Sequence, residues 1–146
     1  MLIKECCILV NDKIDASQLN LLTYISTENL KTNFSGFDSA SSLPNCKVTK
    51  FKLDDILISN IRPYFKKGLF CEFEGGCSND VFCIRNISEK YLNKYIFYSL
   101  TSNKFINLLV ASCKGTKMPR GDKNVLLNYN LKDISINEQQ HIVNTK

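Results

Sequence analysis

The sequence predicts an α+β fold: a single domain with a curved, mixed or antiparallel sheet flanked by helices, ending in the first turns of a further helix. Strand-like periodicity fills the middle of the chain and helix-like periodicity follows it. The two do not alternate as repeated βαβ units would require. The length of 146 residues suits one domain. A hydrophobic fraction of 44%, with nine Phe and six Tyr, supplies enough large side chains for its core.

Asn33 to Asn45 gathers Ser35, Gly36, Asp38, Ser39, Ser41, Ser42 and Pro44, so it reads as a surface loop within the domain. Lys50-Phe51-Lys52-Leu53 alternates polar and apolar residues. Asp54-Asp55 then leads into Ile56-Leu57-Ile58-Ser59-Asn60-Ile61, a strand signal that Pro63 ends. Leu69, Cys71 and Phe73 alternate with Phe70, Glu72 and Glu74, the period of a half-buried strand. Gly75-Gly76 breaks the chain before Val81-Phe82-Cys83-Ile84, a run suited to a buried strand. Ser88 is placed to cap a helix running to about Leu100, with Tyr91, Leu92, Tyr95, Ile96 and Ser99 on one face. Ser102 caps a second helix, whose stripe is Phe105, Leu108 and Leu109. Asn137 opens the last helical signal, with Gln140 at the third position of a capping-box-like start.

The net charge of +5 favours polyanions without fixing a partner. Seven Cys, an odd number without C-x-x-C spacing, and a single His, His141, speak against a zinc site. No secretory signal is read at Met1-Leu2-Ile3-Lys4-Glu5, so the cysteines are expected to be reduced thiols serving as small core residues of a cytoplasmic protein. No run approaches the roughly 20 apolar residues of a membrane span.

Catalytic patterns are weak. His141 sits among polar residues, and neighbouring Asp54 and Asp55 on an extended chain point to opposite faces, so they read as the solvated start of a strand. No phosphate-binding glycine loop is present. Two loops are richer. Asn60-Ile61-Arg62-Pro63-Tyr64-Phe65-Lys66-Lys67 joins three cations to an aromatic pair. Cys113 to Lys123 carries Lys114, Lys117, Arg120 and Lys123 around Gly115, Pro119 and Gly121. Guanidinium groups bond guanine or phosphate bidentately, ammonium groups supply point charge, and glycine admits close backbone approach. Between them, Gly75-Gly76-Cys77-Ser78-Asn79-Asp80 offers polar contacts through Ser78 and Asn79, or plain turn capping.

In this order, these segments resemble the target recognition domains of Type I restriction–modification specificity subunits. The resemblance rests on Tyr24-Ile25-Ser26-Thr27-Glu28-Asn29-Leu30, Asp55 to Lys67, Gly75 to Val81 and Gly115 to Lys123. Glu138-Gln139-Gln140-His141-Ile142 is similar to the opening of that family's long spacer helix, which places a recognition domain at 1–136 and a spacer stub at 137–146. The resemblance runs from about residue 20; the family generally starts with a strand in the segment Met1 to Asn20, which does not align clearly.

The resemblance implies a non-catalytic reader of double-stranded DNA that recognises one half of a bipartite target. Arg62, Lys66, Lys67, Lys114, Lys117, Arg120 and Lys123 would meet phosphates, with Arg62 or Arg120 reading guanine. Asn60, Tyr64, Ser78, Asn79 and Thr116 would add further contacts. It implies a methyltransferase subunit as direct partner, a restriction subunit through the complex, and a second recognition domain or a second copy of the chain. S-adenosylmethionine, ATP and Mg would belong to those partners, leaving this chain without a cofactor. Family members usually carry two such domains, so a chain with one suggests a truncated piece, a natural half-subunit or a recombination cassette. The rival function is an assembly module without DNA binding, with Tyr91, Tyr95 and Tyr98 either packed in the core or presented as a partner face. A nuclease would need a carboxylate cluster that the sequence does not offer.

Overall fold

The computed structural model describes residues 1–115 and 117–146; Thr116 lies outside them. Among the described residues, the strands form two four-stranded sheets. The strands are β1 (Cys7–Leu9), β2 (Lys13–Asp15), β3 (Tyr24–Ile25), β4 (Lys47–Phe51), β5 (Ile56–Ser59), β6 (Gly68–Phe70), β7 (Gly75–Cys77) and β8 (Val81–Asn86). One sheet has the order β1-β8-β5-β6 and is antiparallel throughout; the other has the order β2-β4-β7-β3 and is antiparallel except where β3 runs parallel to β7. The helices are α1 (Ile3–Cys6), α2 (Asn93–Leu100), α3 (Asn103–Ala111), α4 (Lys123–Leu127) and α5 (Ile136–Asn144). The α+β class is as the sequence predicts, with the β structure shared between two sheets.

The two-residue period of β5 decides how the layers stack. Ile56 and Ile58 point into a core shared with Ile96, Leu100, Phe105 and Leu109 of the helices. Leu57 points the other way, into a second core with Ile25 and Phe51 of the other sheet. A strand buried on both faces needs a continuous apolar run, and all four of its residues are buried. It ends at Ser59, whose hydroxyl donates to the Ile61 carbonyl at 3.2 Å.

Several expectations are corrected. Gly75-Gly76 is not a break: it lies in β7, paired on both sides. A Cβ on Gly75 would sit 2.2 Å from the Thr23 carbonyl oxygen, so only glycine fits this approach. The segments Lys50–Leu53 and Leu69–Phe73 are strand only in part, because Lys52 to Asp55 forms a turn with Asp54 at φ 70°. Ser88 does not cap α2. Its amide donates to Asn86 Oδ1 and its hydroxyl accepts from the Lys90 amide, a local turn that delays the helix to Asn93. Helix α3 does start at Ser102, whose hydroxyl accepts from the Phe105 amide at 3.3 Å. The cap of α5 is Ser135, two residues ahead of Asn137; the serine hydroxyl accepts from the Glu138 amide at 3.1 Å and donates to the Glu138 carboxylate at 3.4 Å. Tyr91 and Tyr95 are buried in the core and Tyr98 is half-buried, so the three do not form an exposed partner face.

Asp55 is the largest correction. It is 1% exposed and accepts from Arg85 Nε and Nη2, both at 2.8 Å, and from the Lys52 amide at 2.8 Å. This hydrogen bonding raises the Arg85 pKa further above its ordinary value. Five cysteines are buried as expected, but Cys46 is exposed and Cys113 half-buried. Burial pushes the Cys7 and Cys71 thiols up, and a hydrogen bond with Cys77 followed by burial does so for Cys83, keeping these sulfurs protonated. No described helix is long and apolar enough to cross a membrane.

Candidate nucleic-acid interface

The three loops singled out in the sequence meet at one place, and backbone hydrogen bonds make the junction. Past the end of β5, the Asn60 amide donates to the Asp80 carbonyl at 2.9 Å, and the Asn60 carbonyl accepts from the Gly121 amide at 3.2 Å. Asn60 therefore ties the first loop to both others. Ile61 pairs with Arg120 in an isolated bridge, and the Arg62 amide donates to the Pro119 carbonyl at 2.8 Å. Lys114 and Arg120 exchange two backbone bonds of 3.0 Å, closing the third loop on itself. Gly121 packs under Leu109: a Cβ there would lie 2.4 Å from Leu109 Cδ1.

The cations differ in how they are held. Arg62 donates through Nη2 to the Lys117 carbonyl at 2.8 Å, which leaves the rest of its guanidinium exposed. Arg120 forms an ion pair with Asp80 at 2.8 Å, with side chains 54% and 34% exposed. Lys67 donates to the Thr27 carbonyl at 2.7 Å, and Lys66 to Asn103 Oδ1 at 3.1 Å, at the start of α3. Lys114 and Lys117 are exposed on the third loop, and Lys123 is exposed as the first residue of α4, behind the Asp122 cap. Arg62, Lys66, Lys67, Lys114, Lys117, Arg120 and Lys123 outnumber Asp80, Asp122 and Glu28, so the junction remains positive.

The polar residues are less uniform. Asn60 turns its Oδ1 inward, where it is buried without a hydrogen-bond partner among the described residues. Ser78 is half-buried, its backbone bonded to Ile25 and Val81, whereas Asn79 is exposed and accepts from Lys13 Nζ at 3.4 Å. Tyr64 is 47% exposed. Thr116 lies outside the described residues. Four further residues join the site that sequence reasoning passed over. Lys13 arrives through the pairing of β2 with β4, which no local pattern encodes. Glu28 and Met118 line a cleft with Arg62, Phe65 and Lys67. Asp80, quoted only as part of a turn, restrains Arg120.

No family model matches the chain, and no curated protein matches it. Solved structures do. A chain from a type I R-M system, solved in work on its complex assembly and conformational transition, aligns with a TM-score of 0.74 at 20% identity. The HsdS subunit from Thermoanaerobacter tengcongensis aligns with a TM-score of 0.71 at 20% identity. Each alignment covers 99% of this chain. The chain has an HsdS fold. It spans 40% of the length of each of those two chains, so the likeness is to a part of them. The HsdS fold runs through the N-terminal segment as well: α1 and β1 belong to it, and β1 pairs with β8 from Cys7–Asn86 to Leu9–Ile84.

Proposed function

We propose that this chain binds double-stranded DNA sequence-specifically and reads one half of the bipartite target of a Type I restriction–modification complex, without catalysing a reaction. The observation that carries this reading is the junction of the Asn60–Lys67 and Lys114–Arg120 loops, which brings Arg62, Lys117 and Arg120 together beside Asp80. Phosphate contacts set register and base-edge contacts set sequence. The exposed lysines suit the first task. The two arginines suit the second, because a planar fork can bond guanine O6 and N7 together. The likeness to part of an HsdS subunit supports the same reading.

On this reading residues 1–136 are the recognition domain, and the helix that follows begins a spacer. A methyltransferase subunit is the direct partner, a restriction subunit is reached through the complex, and a second recognition domain or second copy supplies the other half-site. Cofactors belong to those partners, and the compartment is the cytoplasm.

The test is the salt dependence of duplex binding. With about five cations on phosphates, log affinity falls against log salt with a slope of roughly −4 to −5. Lys117→Ala flattens the slope by about 1, and Arg120→Ala relaxes the preference at one guanine pair by about 1–3 kcal/mol. A flat dependence in the parent rules the reading out. Selection from a random duplex pool is expected to enrich a motif of roughly three to five base pairs, each mismatch costing about 1–3 kcal/mol.

A further inference from the structure

We infer that Tyr64 and Phe65 form a wedge that enters between adjacent base pairs of bound duplex and unstacks them. The inference rests on the DNA-binding reading above. The two side chains are 47% and 42% exposed, and their rings meet edge to face at 4.9 Å with 63° between planes. At that angle only one ring can lie parallel to a base, so Tyr64, the more exposed, leads and Phe65 buttresses it. Met118, 51% exposed, faces the same cleft as Phe65. Single exposed apolar side chains are ordinary on protein surfaces; a contiguous group marks a contact.

The turn that presents the rings is held firmly. Pro63 is buried at its start, and Arg62 and Lys66 bracket it in left-handed conformations, with φ of 47° and 55°. The chain is anchored on both sides, by the Arg62 amide on the Pro119 carbonyl and by the Phe34 amide on the Lys66 carbonyl at 2.6 Å. Lys67 Nζ stands 5.9 Å over the Phe65 ring while donating to the Thr27 carbonyl, which fixes the buttress. Pre-ordering of this kind removes most of the entropy that inserting a flexible side chain would lose.

Charge decides what covers the patch. Arg62 and Lys67 line the cleft beside Phe65 against one carboxylate, Glu28, and Lys66 closes the same turn. The charge around the rings is therefore net positive and suits an occupant anionic outside and flat and apolar within. Duplex DNA has that layout, with phosphate rails on either side of stacked bases, and inserted apolar side chains are a known means of kinking it. An acidic protein with an apolar pocket would meet the same cations and rings, but it would leave the fluorescence of a duplex unchanged.

The test uses duplexes recovered from the random pool, with 2-aminopurine substituted at each position in turn. Adding the chain should raise the fluorescence at one step, because unstacking relieves quenching. Tyr64→Ala should abolish the rise and weaken binding on the order of tenfold. The salt slope should not change, since no charge is removed. Tyr64→Phe should keep both the rise and the affinity. Loss of affinity in Tyr64→Phe equal to that in Tyr64→Ala would mean a hydroxyl–phosphate contact and overturn the wedge. Fluorescence unchanged at every step of a tightly bound duplex would overturn it too, while leaving DNA reading intact. Failure to enrich any duplex would remove both. An unchanged melting temperature in both variants, as exposure implies, confirms that folding is not the cause.

Discussion

Two arginine–aspartate pairs in this chain share a distance of 2.8 Å and almost nothing else. Asp55 and Arg85 meet between the start of β5 and β8, with side chains 1% and 23% exposed. Asp80 and Arg120 lie at the loop junction, 34% and 54% exposed. Arg85 bonds both oxygens of Asp55, and Asp55 also caps the turn at Lys52. Both Asp55 oxygens therefore have protein donors in place of water, and Arg85 keeps a longer contact with Asp12 at 3.9 Å. At the rim, water and salt reach both partners, so the pair is weak and exchangeable. What the contrast teaches is that contact distance alone does not assign a role. The inner pair fixes β5 against β8, whereas the rim pair only restrains Arg120 at the loop junction.

The largest expected effect comes from breaking the inner pair. Asp55→Asn leaves the buried end of Arg85 facing a neutral amide, with Asp12 at 3.9 Å as a distant carboxylate, and removes the stronger acceptor for the Lys52 amide. Truncating one partner of a buried pair costs about 3–5 kcal/mol. Because Arg85 can reach some water, the lower end is expected, about 3 kcal/mol. Chemical denaturation should show a lower midpoint at an unchanged m-value. A midpoint close to the parent's would mean that the two pairs do not differ in kind.

Next comes a change that keeps the rim charge and alters only its shape. Arg120→Lys retains a cation able to meet phosphate, but it loses the two-pronged donor. The salt slope of duplex binding should stay within error of the parent's. Preference for the selected motif over a variant with one guanine pair replaced should fall by about 1–3 kcal/mol. Equal loss on all sequences would instead place Arg120 on the backbone alone.

Much of this was legible in the chain, and the inner pair shows where legibility stops. The β-branched run at Ile56 to Ser59 announced a strand, and Ser102 announced a helix start, because both signals are local. The clustering of cations in two loops was equally visible. Partner choice across the chain was not. Asp55 looked like a solvated residue at the start of a strand because nothing near it in sequence reveals Arg85, thirty positions on. Gly75-Gly76 looked like a break because glycine in a turn and glycine under a crossing backbone read alike; only the Thr23 carbonyl distinguishes them. The division into two sheets depends on β3 meeting β7 and β1 meeting β8, pairings that single-strand periodicity cannot specify. At the site the same limit appears: Arg62 and Arg120 were legible as cations, and their tethers to the Lys117 carbonyl and Asp80 were not.

The smallest expected effect is on stability, from releasing the rim arginine. Asp80→Asn removes an exposed ion pair, which changes folding free energy by less than about 1 kcal/mol. The backbone of residue 80 still accepts from Asn60, so the loop junction should persist. Binding should move in the opposite direction. With its carboxylate gone, Arg120 no longer exchanges one anion for another on meeting a phosphate, and a repulsive charge leaves the interface. Affinity for duplexes of unrelated sequence should rise, and the salt slope should steepen by up to about 1. A stabilised complex with the selected motif alone would instead mean that Asp80 holds Arg120 in position for a base. Unchanged affinity on every sequence would mean that the rim pair faces away from DNA, and the contrast with the inner pair would then be one of burial only.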